Sequence, residues 1–90
     1  MSNWIGKEGE RRAFKVIVLR NFAFPSKFTD KNCYVYIMHD EFGNEITLNS
    51  SQILEVGVTY LLRATIKAHV EREGIKQTQI VNYAFLNLLL

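Results

Sequence analysis

The sequence predicts an all-β chain, a five-stranded Greek-key barrel forming one domain over residues 1–90. Three observations carry that expectation. Apolar side chains recur at every second position through most of the chain, turn-forming clusters interrupt them, and helical spacing appears in only one short stretch. Hydrophobic residues make up 48% and charged residues 22% of the 90 residues, which excludes a disordered polar chain.

The first strand runs from Phe14 to Phe24. Its even positions Phe14, Val16, Val18, Phe22 and Phe24 are apolar, but so are Ile17 and Leu19. A strand apolar on both sides is buried on two faces or bends and switches faces part-way. Pro25-Ser26-Lys27 ends it. The second strand, Asn32 to Asp40, alternates Cys33, Val35 and Ile37 against Tyr34, Tyr36 and Met38. If the first set faces the core, the tyrosines face outward. Asp40-Glu41-Phe42-Gly43-Asn44 is a tight turn in which Gly43 or Asn44 can take positive φ. A third strand, Glu45 to Asn49, turns Ile46 and Leu48 inward.

Ser50 to Val56 breaks the alternation. A serine at an N-cap position ahead of Ile53 and Leu54 predicts one helical turn, stopped at Gly57. Alternation resumes at Tyr60, with Leu62, Ala64, Ile66 and Ala68 on one side and Arg63, Thr65, Lys67 and His69 on the other. Glu71-Arg72-Glu73-Gly74 is a polar turn, and Lys76 to Phe85 is the last strand. Three strands, a short link and two long strands is the layout of an OB-type barrel, whose strand 2–3 face and loops 1–2 and 4–5 bind ligands. An SH3-like barrel is the nearest competitor, but its helical turn usually precedes the last strand.

Charge is uneven. Residues 1–20 carry +3, residues 21–50 carry −2 and residues 51–90 carry +1, for a net +2. The basic weight lies on the first and last thirds, which a sheet closing on itself would bring together. His39 and His69 sit in no Cys/His spacing that builds a zinc site, and no nucleophile elbow or phosphate-cradling glycine loop is present. The expectation is therefore a protein without enzymatic activity, cofactor or metal. Cys33 is the one cysteine, so no internal disulfide is expected, and no apolar run is long enough for a membrane span. A cytoplasmic setting follows as the expectation.

Binding signals are stronger. Outward-facing Tyr34 and Tyr36 would stack on bases, as single-strand binding requires; alternatively they are cross-strand packing partners. Between the first two strands, Phe22, Phe24, Lys27, Phe28 and Lys31 interleave aromatics with lysines, as in a lid that stacks on bases while the lysines meet phosphates, and Arg20 lies just ahead. One of the phenylalanines is expected to plug a barrel end instead. Arg63, Lys67, His69, Arg72 and Lys76 form a second basic set, suited to phosphates or merely solvated beside Glu71 and Glu73.

Trp4-Ile5-Gly6-Lys7-Glu8-Gly9-Glu10-Arg11 and Val56-Gly57-Val58-Thr59-Tyr60-Leu61-Leu62-Arg63-Ala64-Thr65-Ile66-Lys67-Ala68-His69, with Gly74-Ile75-Lys76-Gln77-Thr78, carry a further signal. They resemble a phage-type OB-fold domain associated with single-stranded DNA binding. The resemblance implies phage or prophage origin and work near DNA replication or recombination, and Lys67, Lys76 and Gln77 fall at the matched motif positions, a signature of the last hairpin. The third strand departs from that pattern, because Glu45-Ile46-Thr47-Leu48-Asn49 has no aromatic. The expected function is nonenzymatic single-stranded DNA binding. The alternative is a protein-interaction module, a viral inhibitor or assembly subunit, meeting a host or viral protein or a second copy through the last strand and Leu86–Leu90. Oligosaccharide binding is a weaker third option on the same fold.

Overall fold

The computed structural model describes residues 2–25 and 32–86. Among these residues five strands form: β1 (Arg11–Pro25), β2 (Asn32–Asp40), β3 (Glu45–Ser50), β4 (Thr59–Arg72) and β5 (Ile75–Phe85). They close into a barrel in the order β1-β2-β3-β5-β4, with β4 returning to β1. Only β3 and β5 run parallel; the other pairs are antiparallel. This arrangement is consistent with an OB-type barrel. Among the described residues no helix is long and apolar enough to cross a membrane.

The alternation places Phe14, Val16 and Val18 of β1 in the core with Leu62, Ala64 and Ile66 of β4. Ile46 and Leu48 of β3 and Ile80 of β5 complete its wall, and Leu54 from the linker closes one end. Burying each such aliphatic side chain contributes about 1.5–3 kcal/mol before the conformational entropy it opposes. The turn between β2 and β3 forms around Asp40. Its carboxylate accepts the Phe42 and Asn44 amides at 2.9 Å each, and Gly43 takes the positive φ of 81°.

Three irregularities re-aim side chains. In β1 the register slips between Val18 and Arg20, which leaves Leu19 unmatched. Even positions point inward before this bulge. After it Arg20 pairs with Ile37 and Phe22 with Val35, on the outer face. The long first strand thus does bend and change faces. In β4 a slip between Ile66 and Ala68 leaves Lys67 unmatched. In β5 a slip opposite Ala64 sets Asn82 at φ 53°, in the left-handed region. Arg11 braces that bulge, donating to the Asn82 carbonyl at 2.7 Å and to Thr65 Oγ1 at 3.2 Å. Asn82→Val is therefore expected to lower stability by about 1–2 kcal/mol, with Asn82→Gly close to wild type, in thermal or urea unfolding.

Two expectations are corrected. Tyr36 does not face outward; its side chain is fully buried, as is that of Met38. Tyr34, on the same side, is half-buried and packs against the core. Both sides of β2 are apolar enough to be buried, so parity alone could not choose between them. The hydroxyl makes inward burial possible, because Tyr36 sits near a barrel end where its oxygen meets linker backbone. There it donates to the Gln52 carbonyl at 2.6 Å and accepts the Leu54 amide at 2.9 Å.

The second correction follows from the first. No helix occurs among the described residues, so the expected helical turn over Ser50–Val56 does not form. Its amides are used elsewhere. Gln52 N–H donates to Ser50 Oγ, Leu54 N–H to Tyr36, Glu55 N–H to Tyr60 Oη and Gly57 N–H to the Val18 carbonyl. The Gln52 bond to Ser50 is the one an N-cap makes, but a helical turn would need the Leu54, Glu55 and Gly57 donors for carbonyls four residues back.

Candidate functional site

Outward positions on the closed sheet fall into two regions. The first is a platform on β1, β2, β3 and β5. Backbone register sets Phe22 beside Val35 and Val35 beside Asn49 in one row. Arg20, Ile37, Thr47 and Gln79 form the adjacent row. Phe22 is 55% exposed, with the Arg20 guanidinium 5.9 Å from its ring centroid. Ile37 and Thr47 are buried between their neighbours.

The second region is a basic stripe where β1 meets β4. Arg11 pairs with Thr65, Ala13 with Arg63 and Lys15 with Leu61. Phe14 and Val16 face the core, so Arg11 and Lys15 face out beside Arg63, and Lys67 lies further along β4. Barrel closure thus unites the basic first and last thirds of the chain. Among the described residues the ion pairs are Arg12–Glu10 at 3.9 Å and His39–Glu45 at 3.7 Å. Lys15, Arg63 and Lys67 accordingly have no carboxylate within ion-pair distance among those residues, and the stripe keeps one sign of charge.

Lys67 joins the two regions. The β4 bulge turns it toward a cleft of about 200 Å³ that it lines with Thr47, Asn49, Gln79, Ile80 and Val81. β3 and β5 stay paired only as far as Leu48 and Ile80, so beyond that point the sheet splits. A second, more open recess of about 510 Å³ continues from Asn49 and Val81 to Gln52 and Tyr83.

The sequence-expected site residues divide accordingly. Arg20 and Phe22 share the platform, and Arg63 and Lys67 share the stripe. Phe24 has its backbone paired with Cys33, but its side chain, Lys27, Phe28 and Lys31 lie outside the described residues. Tyr36, wholly buried, offers no stacking face. Arg72 is exposed near the β4–β5 turn, away from both regions.

His69, Lys76 and Gln77 are engaged within the molecule. The β4 bulge reverses strand parity, so His69 pairs with the buried Thr78 and leaves the Arg63–Lys67 face. This corrects the expectation of one four-residue face. Residues 2–10 cross the barrel end there, and Trp4 stacks on His69 with ring centroids 5.5 Å apart. The indole N–H donates to the Val70 carbonyl at 2.8 Å, and Lys76 Nζ lies 4.9 Å from the indole ring. His69 Nε2 lies 2.9 Å from the Ile5 carbonyl oxygen. Gln77 is buried and donates to the Glu45 carboxylate. Trp4 is thus a clamp on the β4–β5 hairpin, and the lysine and glutamine of the resembling motif support it or its surroundings.

Sequence reasoning missed Arg11 and Lys15, although their odd positions opposite inward Phe14 and Val16 were legible. It also missed Thr47, Asn49 and Gln79, which carry no signal until β3 and β5 are known to be neighbours. Comparison with family models, curated proteins and solved structures produced no match to this chain.

Proposed function

We propose that the protein is a nonenzymatic, OB-type binder of single-stranded nucleic acid, DNA being the expected form. The observation that supports this most directly is the basic stripe running to a polar cleft at Lys67, whose Lys15, Arg63 and Lys67 have no carboxylate within ion-pair distance among the described residues. Arg63, Lys67 and Lys15 present cations to successive phosphates, and Phe22 with Arg20 offers an exposed surface on which a base stacks. A platform next to a cation row serves a flexible single strand better than a rigid duplex, because splayed bases and phosphates can follow separate tracks. Phage or prophage origin remains part of the proposal through the motif resemblance.

The test is a titration with short oligothymidylate at several salt concentrations. Affinity is expected to fall linearly on a log–log plot, by about 0.7 in slope for each phosphate neutralised. Absent or salt-insensitive binding to every oligonucleotide would overturn the reading.

A second reading, protein interaction, has its own support in an apolar patch. Ile17, Leu19, Val56 and Val58 are all exposed, and Val18 holds their segments together through hydrogen bonds to Gly57 and Val58. Exposed apolar surface of this kind marks interaction sites. Of the C-terminal segment proposed for oligomerisation, Leu86 is half-buried and donates its amide to the Leu61 carbonyl at 3.0 Å; residues 87–90 lie outside the described residues.

A further inference from the structure

We infer that the cleft between β3 and β5 is a pocket for one splayed nucleobase of the bound strand, giving the protein a base preference. The inference rests on the nucleic-acid reading above and adds the recognition chemistry of that site.

The cleft follows from the way the sheet splits. β3 and β5 separate after Leu48 and Ile80, while β3 continues along β2 to Ser50 and β5 continues along β4. The facing edges of Asn49 and Val81 no longer pair with each other across the gap. A planar polar group entering there meets backbone polar groups as well as side chains.

Its lining is suited to reading a base edge. Asn49 and Gln79 each present an amide oxygen and an amide N–H₂, and Thr47 adds a hydroxyl that both donates and accepts. Gln77, one turn of the alternation away, spends its amide on Glu45. Asn49 and Gln79 have no side-chain hydrogen-bond partner among the described residues. Val81, paired with the outward Thr65, supplies an apolar wall against which a ring can lie, whereas the side chain of Ile80 is buried in the core.

Size and charge favour a base over a whole nucleotide. At about 200 Å³ the cleft is smaller than the roughly 300–1,000 Å³ that encloses a drug-sized ligand. One heterocycle enters, and its sugar and phosphate remain outside. Lys67, at the rim and continuous with the basic stripe, is placed for that phosphate. Single-strand readers commonly splay bases and bind their edges with such groups, and asparagine or glutamine makes a two-point contact with the adjacent donor and acceptor of adenine. Adenine is accordingly the base expected to fit best.

The experiment uses the full chain and a short labelled oligothymidylate whose central base is replaced in turn by adenine, guanine or cytosine. The adenine-containing strand is expected to bind about five- to a hundredfold more tightly than the all-thymine strand, the range of one two-point base contact. Asn49→Ala with Gln79→Ala should remove that preference while leaving the salt slope and the Trp4 emission spectrum unchanged. Gln79→Glu, similar in shape but lacking the N–H₂ donor, should also lose it. Equal binding of all four strands by wild-type protein, with a normal salt slope, would overturn the pocket but leave the general function intact. A preference that survives in the double variant would overturn the pocket as well. Binding of free adenosine monophosphate as tightly as the oligonucleotide would overturn the assignment to a base within a strand. No binding to any oligonucleotide, or salt-independent binding of a neutral oligosaccharide instead, would overturn both readings.

Discussion

Arg63→Glu combined with Lys67→Glu is expected to weaken binding of short single-stranded DNA by at least about a hundredfold at low salt. Both side chains face outward on β4, and neither has a carboxylate within ion-pair distance among the described residues. In the complex, the double variant replaces two phosphate attractions with two repulsions. The remaining affinity should also depend less on salt, with the log–log slope reduced by about 1.4 for two lost contacts. Stability should change by no more than about 0.5 kcal/mol per substitution, as is usual for exposed sites. Arg12→Glu provides the comparison. Arg12 lies beside Glu10, off the stripe, so its reversal alters net charge without touching the proposed phosphate track. Fluorescence anisotropy titrations against wild type, with Arg63→Glu and Lys67→Glu also made singly so that each variant carries one reversal, decide the matter; equal weakening by Arg12→Glu and by either single reversal on the stripe would mean that only overall charge counts.

Substitution of Tyr36 is expected to have the largest effect on folding. Tyr36→Ala removes a fully buried ring from the core and should cost about 3–5 kcal/mol in urea unfolding. Tyr36→Phe keeps the ring but leaves the Leu54 amide and the Gln52 carbonyl without their shared partner, for about 1–3 kcal/mol. The hydroxyl adds a pH dependence. Burial raises its pKa above the ordinary 10.0, opposed in part by the Leu54 N–H donated to its oxygen. A group whose folded pKa is raised contributes stability below its unfolded pKa and loses it as pH climbs through the folded value. Wild-type stability should therefore begin to fall near pH 10 and continue falling above it, through the folded pKa. Tyr36→Phe should lack that part of the alkaline decline, and an identical decline in both proteins would refute the hydroxyl's role.

The barrel was legible in the sequence because period-two alternation is local. Strand positions, the Asp40–Asn44 turn with Gly43 or Asn44 at positive φ, the inward Ile46 and Leu48, and the shared side of Leu62, Ala64 and Ile66 all follow from neighbours in the chain. Alternation failed where both sides of a strand were apolar, so β2 read with its tyrosines outward. It failed again after the β4 bulge, since one unmatched residue reverses every later side chain. Neither event leaves a mark in composition.

The sequence by itself determined that this chain builds an all-β barrel and that its basic residues gather at the two ends of the chain. Only the tertiary structure decided which cations share a face. It joined Arg11 and Lys15 to Arg63, drew His69 and Lys76 against Trp4, and opened the cleft at Lys67 where two strands far apart in sequence diverge. The physical reason is range. Side-chain alternation is set by each residue's own backbone, whereas register, bulges and strand splitting depend on hydrogen bonds to strands that come together only when the barrel closes.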